Sequence, residues 1–170
     1  AGLSDHPSFQ TSYLHTGLTG GLVYSYRIKS QNEYGPANDW SDATSEQTGQ
    51  APEQPAVATL TILDVYIKIS WVPPTNNHLT ITSYKIIIAD STNTFIENKQ
   101  VCDGASVDAM NLNFCSVPMS ALWTAPFNLV YGTSIKAQVI AINQRGESIA
   151  STVNTNGPIV LTVPDKMYVP

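Results

Sequence analysis

An all-β fold, an antiparallel sandwich, is the class this sequence predicts, and three observations predict it. Short runs of alternating apolar and polar residues recur, and no stretch holds helical period for long. Pro, Gly, Asn and Asp separate the runs. Ser, Thr and Asn fill the polar positions where charge is more usual: charged residues make up 12% of the 170 and apolar residues 42%, against a typical charged share of about 25%. Thr in place of Lys or Glu suits exposed strand faces.

In chain order, strands are expected at about Gln10–His15, Leu22–Asn32 and Asp39–Gln47. The Pro-containing stretch "GQAPEQP" follows as a linker too short and stiff for free swivelling. "DVYIKISW" (Asp64 to Trp71) puts Val65, Ile67, Ile69 and Trp71 on one face and Tyr66, Lys68 and Ser70 on the other. "PPTNNHL" is turn chemistry. "ITSYKIIIAD" (Ile81 to Asp90) reads as a strand buried on one face and part of the other. "SIKAQVIAIN" (Ser134 to Asn143) aligns Ile135, Ala137, Val139 and Ala141.

The chain contains one motif twice. "GLVYSYRIKSQNEYG" (Gly21 to Gly35) is echoed by "IKAQVIAINQRG" (Ile135 to Gly146). Asn32 and Asn143 lie 111 residues apart, as do Gly35 and Gly146. The same spacing sets Leu18 on Leu129, Tyr24 on Ile135, Ile28 on Val139 and Ser30 on Ala141. "QAPEQP" (Gln50 to Pro55) corresponds to "TVPDKM" (Thr162 to Met167), with Pro52 and Pro164 separated by 112. A period of that size is a domain, not a solenoid repeat. Residues 56–163 therefore read as one complete domain. Residues 1–50 read as the second half of another, 51–55 as the linker, and 164–170 as a linker or donor-like strand leading to a next unit.

These residues resemble the fibronectin type III family. Trp71, Pro73–Pro74 and Tyr84 match its earlier pattern, and Leu18, Tyr24, Ile28, Asn32 and Gly35 its later one. The resemblance implies an immunoglobulin-like sandwich. It also implies a tyrosine corner at Tyr24, whose hydroxyl bonds back to the chain a few residues upstream. In the second copy Ile135 takes that place, and Tyr131 is the candidate to compensate. The complete copy also resembles a variant from repeat arrays of protist surface proteins, on "CDG", "CSVPMSALWTAPFNLVYG" and "GPIVLTVP". That variant implies an inserted hairpin bracketed by Cys102 and Cys115. The family match is specific for fold and weak for function.

A half-sandwich exposes its inner face, here Leu14, Leu18, Leu22, Tyr24, Tyr26 and Ile28, and leaves edge strands unpaired. Each large apolar side chain left wet forfeits roughly 1.5–3 kcal/mol, which in sum rivals a domain's stability of about 5–15 kcal/mol. Completion is therefore expected. Either the missing strands belong to a longer polypeptide, or a neighbouring chain supplies them. The tail, with Met167, Tyr168 and Val169, sits where a next unit's first strand begins. Docked on another copy, it would give head-to-tail association that propagates into filaments. One strand cannot replace four, so further surfaces would be needed.

Two cysteines in a Thr-rich β-chain favour a disulfide, Cys102–Cys115, over two buried thiols. "RGE" (Arg145 to Glu147) sits where some family members carry an integrin-binding Arg-Gly-Asp, but the turn itself already calls for Gly. Trp40 is expected beside Arg27. Pro73, Pro74 and Thr75 are candidates for O-linked sugar or modified proline. No Asn-x-Ser/Thr sequon is present. Asp5, His6, His15 and His78 are scattered and suit neither a metal site nor a base. No nucleophile with a base beside it and no catalytic fingerprint occurs, so neither catalysis nor a cofactor is expected.

A net charge of −5 with eight Lys and Arg argues against a nucleic-acid surface. No run of 18 apolar residues exists to insert in a membrane. The opening "AGLSDHPSFQ" has no basic or apolar region, so it does not read as a signal peptide.

Function reads as a structural and adhesive module of a secreted or cell-surface fibrous protein, with other copies or adjacent repeats as partners. One alternative is a receptor ectodomain that binds protein or glycan through loops at one end, with Trp40, Trp123 and Arg145 on offer. Another is an accessory module of a secreted enzyme.

Overall fold

The computed structural model describes residues 12–162, and the chain divides into two compact units between Thr48 and Gly49. The expected linker or donor-like strand at 164–170, with Met167, Tyr168 and Val169, lies outside the described residues.

The second unit is a two-layer sandwich. One sheet holds β5 (Thr59–Leu63), β6 (Tyr66–Ser70) and β9 (Phe114–Pro118), in that order. The other runs β11 (Gly146–Glu147), β10 (Ala137–Asn143), β7 (Ser83–Ala89), β8 (Phe95–Glu97). All pairings are antiparallel. Alternation predicts the inward residues well. Ile67 and Ile69 from one sheet and Ile86, Ile88, Ala137, Val139 and Ala141 from the other are buried together. The Trp71 and Tyr84 rings meet at a tilt of 56°, centroids 5.1 Å apart, on the same core. Burial pushes the Tyr84 phenol up, with the Trp71 side chain opposing the shift.

Val65 corrects the pattern read from Asp64 to Trp71. It is exposed, because Asp64 takes φ 54° and the chain reverses there, with Leu63 opposite Tyr66. The resulting two-residue hairpin turn starts the strand at Tyr66. The β5 partner strand, "TLTIL", alternates from Thr59 to Ile62 and is not among the expected strands.

Cys102 and Cys115 form a disulfide with Cα atoms 5.7 Å apart. The segment between them is not the hairpin that the resemblance implied. It folds as helix α1 (Val107–Leu112). Ser106 caps its start by accepting from the Ala109 N–H at 3.2 Å, and Asn113 ends it at φ 56°. A second short helix, α2 (Met119–Trp123), buries Met119 and Leu122. Replacing both cysteines by serine is expected to cost about 3 kcal/mol, measured by denaturant unfolding, because the loop's entropy is no longer restrained.

Asp90 closes the turn between β7 and β8. Its Oδ1 accepts from the Thr92 hydroxyl and N–H, both at 2.7 Å, and from the Thr94 N–H at 2.9 Å. The Thr92 hydroxyl, then the Thr94 N–H, hold this carboxyl below the usual range. A depressed folded pKa stabilises above the unfolded value of about 3.9 and is lost as pH falls through the folded one. Acid titration followed by NMR should therefore show the Thr92 and Thr94 amides shifting together below pH ~3.9. Asp90→Ala should abolish that step.

The first unit is smaller. β1 (Val23–Tyr26) pairs with β4 (Thr44–Gln47), Val23 opposite Gln47. β2 (Gln31–Asn32) and β3 (Gly35–Pro36) make a tight hairpin. The expected strand Leu22–Asn32 is thus interrupted, and Asp39–Gln47 is a strand only from Thr44. Residues 12–15 are not a strand, and residues 10 and 11 lie outside the described residues.

Candidate functional site

The repeat read from the sequence is also a repeat of hydrogen bonds. In the first unit Asn32 Oδ1 accepts from the Tyr34 N–H at 2.9 Å; in the second Asn143 Oδ1 accepts from the Arg145 N–H at 2.8 Å. Gly35 (φ 126°) and Gly146 (φ 132°) close the two turns in the positive-φ region that favours glycine. Ile28 exchanges two bonds with Ser41, donating its N–H to Ser41 Oγ at 3.0 Å and accepting the Ser41 N–H at 2.9 Å. Val139 does the same with Ser151, at 3.0 and 2.8 Å. Ala37 N–H donates to Ser30 O as Ser148 N–H donates to Ala141 O, each at 2.8 Å. Farther on, Thr48 N–H meets Leu22 O and Val160 N–H meets Thr133 O. The first unit therefore reproduces the last two strands of the sandwich and the turn between them.

Three polar side chains on the returning strand went unnoticed in the sequence. Ser148, Ser151 and Asn154, three residues apart, accept the backbone N–H groups of Ala141, Val139 and Ala137. They replace a regular ladder beside β10. The three-residue spacing of small polar residues was the available signal.

The environments of equivalent residues differ. Ile135, Ala137 and Val139 are fully buried, and Leu129 nearly so. Their counterparts Tyr24 and Leu18 are half-buried, and Tyr26 and Ile28 are exposed. Ile28 is 77% exposed where Val139 is 0%. Leu14 and Leu22, expected on this face, are exposed too.

The face has local order of its own. The Tyr24 hydroxyl accepts the Thr19 N–H at 2.9 Å, the upstream bond expected of a tyrosine corner. His15 Nδ1 lies 3.1 Å from the Tyr26 hydroxyl, and its ring meets Tyr24 and Tyr26 edge-on. Tyr131 makes no such corner in the second unit. It is exposed in a turn, and the buried Ile135 donates its N–H to Pro158 O at 2.9 Å.

Asn143 does more than hold its turn. Its amide donates to Gln50 O at 2.7 Å, Asn76 O at 3.3 Å and Leu79 O at 3.5 Å. The residues expected as a linker are thereby fixed to the second sandwich. Gln50 and Glu53 N–H groups reach Asn77 O and Thr75 O, the Gln54 amide reaches Ala150 O at 2.7 Å, and Pro52 and Pro55 are buried. Asn32 is exposed.

The remaining candidates are placed as follows. Trp40 is covered by Lys29 Nζ at 5.7 Å from its ring, not by Arg27; Lys29 also donates to Asn38 O, which aims the ammonium there. Trp123 is half-buried against the core and offers no open loop-end platform. Glu147 of the Arg-Gly-Glu tripeptide is paired with Lys85 at 3.3 Å. Pro73 and Thr75 are exposed and Pro74 half-buried, beside a shallow hollow formed with Ile81, Tyr84 and Met110. His15 and His78 are both exposed and lie in different units, and Asp5 and His6 lie outside the described residues. Among the described residues no three His, Cys, Asp or Glu side chains cluster as metal ligands, and no helix is long and apolar enough to cross a membrane.

No family model matches the chain. It is similar to human (Homo sapiens) neogenin, 32% identical over 83 residues, which is 45% of this chain and 6% of that protein. It is also similar to the Xenopus laevis protein named cell adhesion molecule-related/down-regulated by oncogenes, 33% identical over 105 residues, 62% of this chain and 7% of that one. The chain thus spans a small fraction of the length of these relatives. Among solved structures, the sixth fibronectin type III domain of human fibronectin type III domain containing protein 3 aligns over 71% of this chain and 98% of its own. Its TM-score is 0.49 at 14% identity.

Proposed function

We propose that this chain, which belongs to the fibronectin type III family, is a structural and adhesive module of an extracellular fibrous protein, with its first unit completed by strands of a neighbouring copy. The observation that supports the completion is the pairing of Ile28 with Val139. They make the same backbone bonds to the same kind of serine, yet one is open and the other sealed. Among the described residues of the first unit, the strands that seal Val139 have no counterpart. Covering Tyr26 and Ile28, both exposed among the described residues, would recover burial energy.

An adhesive, extracellular setting is supported by the disulfide and by the Xenopus relative, whose name includes cell adhesion. Thr75, exposed beside Pro73 and Pro74, is the proposed position for O-linked sugar. The mechanism is mechanical and spatial. Sandwiches with pinned Pro-containing segments hold length, and a contact between unlike ends of two copies propagates into a filament. Sedimentation and negative-stain microscopy of the purified chain test this. End-to-end fibres are expected as concentration rises. A monomer at high concentration with residues 12–48 still folded would overturn it.

A further inference from the structure

We infer that Asn156 is a site of spontaneous deamidation, and that its isoaspartyl product frees the last segment of the second unit from Ile135. Asn156–Gly157 is the one Asn-Gly step in the 170 residues. Asparagine is thermolabile. Its side-chain amide is lost when the following backbone nitrogen reaches Cγ, an approach that glycine, without a β-carbon, hinders least. The structure leaves both reactants free. Asn156 is exposed in a bend, and among the described residues neither its side chain nor the Gly157 N–H has a hydrogen-bond partner. The fold also keeps the glycine: a β-carbon at 157 would collide with Ile135 O and Asn154 Nδ2. Asn154 is the contrast. It is 7% exposed, and its side chain accepts the Ala137 N–H at 2.7 Å and donates to Ile135 O at 2.8 Å. In the chain's single Asp-Gly step, Asp103–Gly104, the carboxylate is likewise held, by the Ala105 N–H at 3.0 Å.

The reaction balances with water alone. The Gly157 nitrogen bonds to Asn156 Cγ, the Cγ–Nδ2 bond breaks, and ammonia leaves carrying the Gly157 proton. Water then opens the cyclic imide at either carbonyl. One opening gives aspartate. The other gives isoaspartate, whose backbone runs through the former side chain and gains a methylene. Ile135, fully buried, is tied to the chain on both sides of that insertion. Its carbonyl accepts from Asn154 Nδ2, and its N–H donates to Pro158 O at 2.9 Å. Only residues 155–157 join the two ties, and Gly157 is pressed against the Ile135 carbonyl. A longer backbone there displaces Gly157 or Pro158, and Val160, whose N–H bonds to Thr133 O, follows.

The test ages the full chain in warm, mildly alkaline buffer and follows it by ammonia release and peptide mapping with mass spectrometry. Trypsin places Asn154 and Asn156 in one fragment, residues 146–166, which contains no other side-chain amide. Asn156 is expected to gain about 1 Da. It should convert about tenfold faster than Asn154 or more, since Asn154 reacts only after local opening. Asn156→Gln should remove most of the ammonia. In the aged chain, hydrogen exchange at the Ile135 and Val160 amides should quicken about tenfold or more. Freshly made Asn156→Asp, with the same charge and no added methylene, should keep their protection. An Asn156 that stays intact in the folded chain while it converts in the denatured chain would overturn the site. Conversion that leaves Ile135 and Val160 protected would overturn the release of the last segment.

Discussion

Replacing Ile28 by aspartate is expected to abolish association of the chain while leaving the second unit as stable as before. In the isolated chain the side chain is open to water, so a charge there costs almost nothing, within the roughly 0.5 kcal/mol typical of surface substitutions. In an assembly whose partner seals this position as β10 is sealed, the carboxylate would be buried without a counter-ion, a change on the order of 3–5 kcal/mol. The association constant should fall by about a thousand-fold or more. Ile28→Val, which restores the residue at the equivalent place in the second unit, should retain association. The two variants separate a buried apolar contact from a general disturbance of β1. Sedimentation equilibrium reads the constant, and denaturant unfolding followed by Trp71 fluorescence reads the second unit.

Trp71→Ala is the substitution expected to do most damage to the fold. Trp71 ends β6, is almost fully buried, and lies against Tyr84 from the opposite sheet. Truncating a core Trp costs about 3–5 kcal/mol, a large share of the about 5–15 kcal/mol that holds a domain. For a unit of this size the thermal midpoint should drop by roughly 12 °C or more. Trp40→Ala supplies the contrast. That ring is exposed and has only Lys29 over it, so its loss should cost no more than about 1 kcal/mol. Similar effects from the two would mean that the core is not where the inward residues of β6 and β7 place it.

Period-2 alternation made the central strands legible, because β6, β7 and β10 are each buried on the face that their apolar residues mark. The Asn-x-x-Gly repeat was legible for a different reason. The turn needs a side-chain acceptor and a positive-φ closer at fixed spacing, so chemistry and position travel together. What stayed hidden depends on tertiary context. "TLTIL" became β5 only because Asp64 turns it back onto β6. "SVDAMNL" became a helix inside the disulfide loop through a cap at Ser106 and a stop at Asn113, each a single residue. Val65 and Trp123 show the same limit from opposite sides: one apolar residue is turned out by a tight turn, and one aromatic expected at an open end is drawn toward the core.

For the exposed face of the first unit, the sequence showed which side chains would be uncovered but not that their backbone bonds duplicate those of the complete unit. It also hid the second task of Asn143. A single Asn can be read as a turn residue; that its amide also holds Gln50, Asn76 and Leu79 requires three segments distant in the chain to meet.

The most direct measurement is the alkylation rate of a cysteine placed at Ile28, in dilute chain and in concentrated, associated chain. Completion by a neighbour predicts fast labelling when dilute and strong protection, tenfold or more by the burial argument, once fibres form. Equal rates in the two states would contradict it, since the open half of the sandwich would then have no partner in the assembled material.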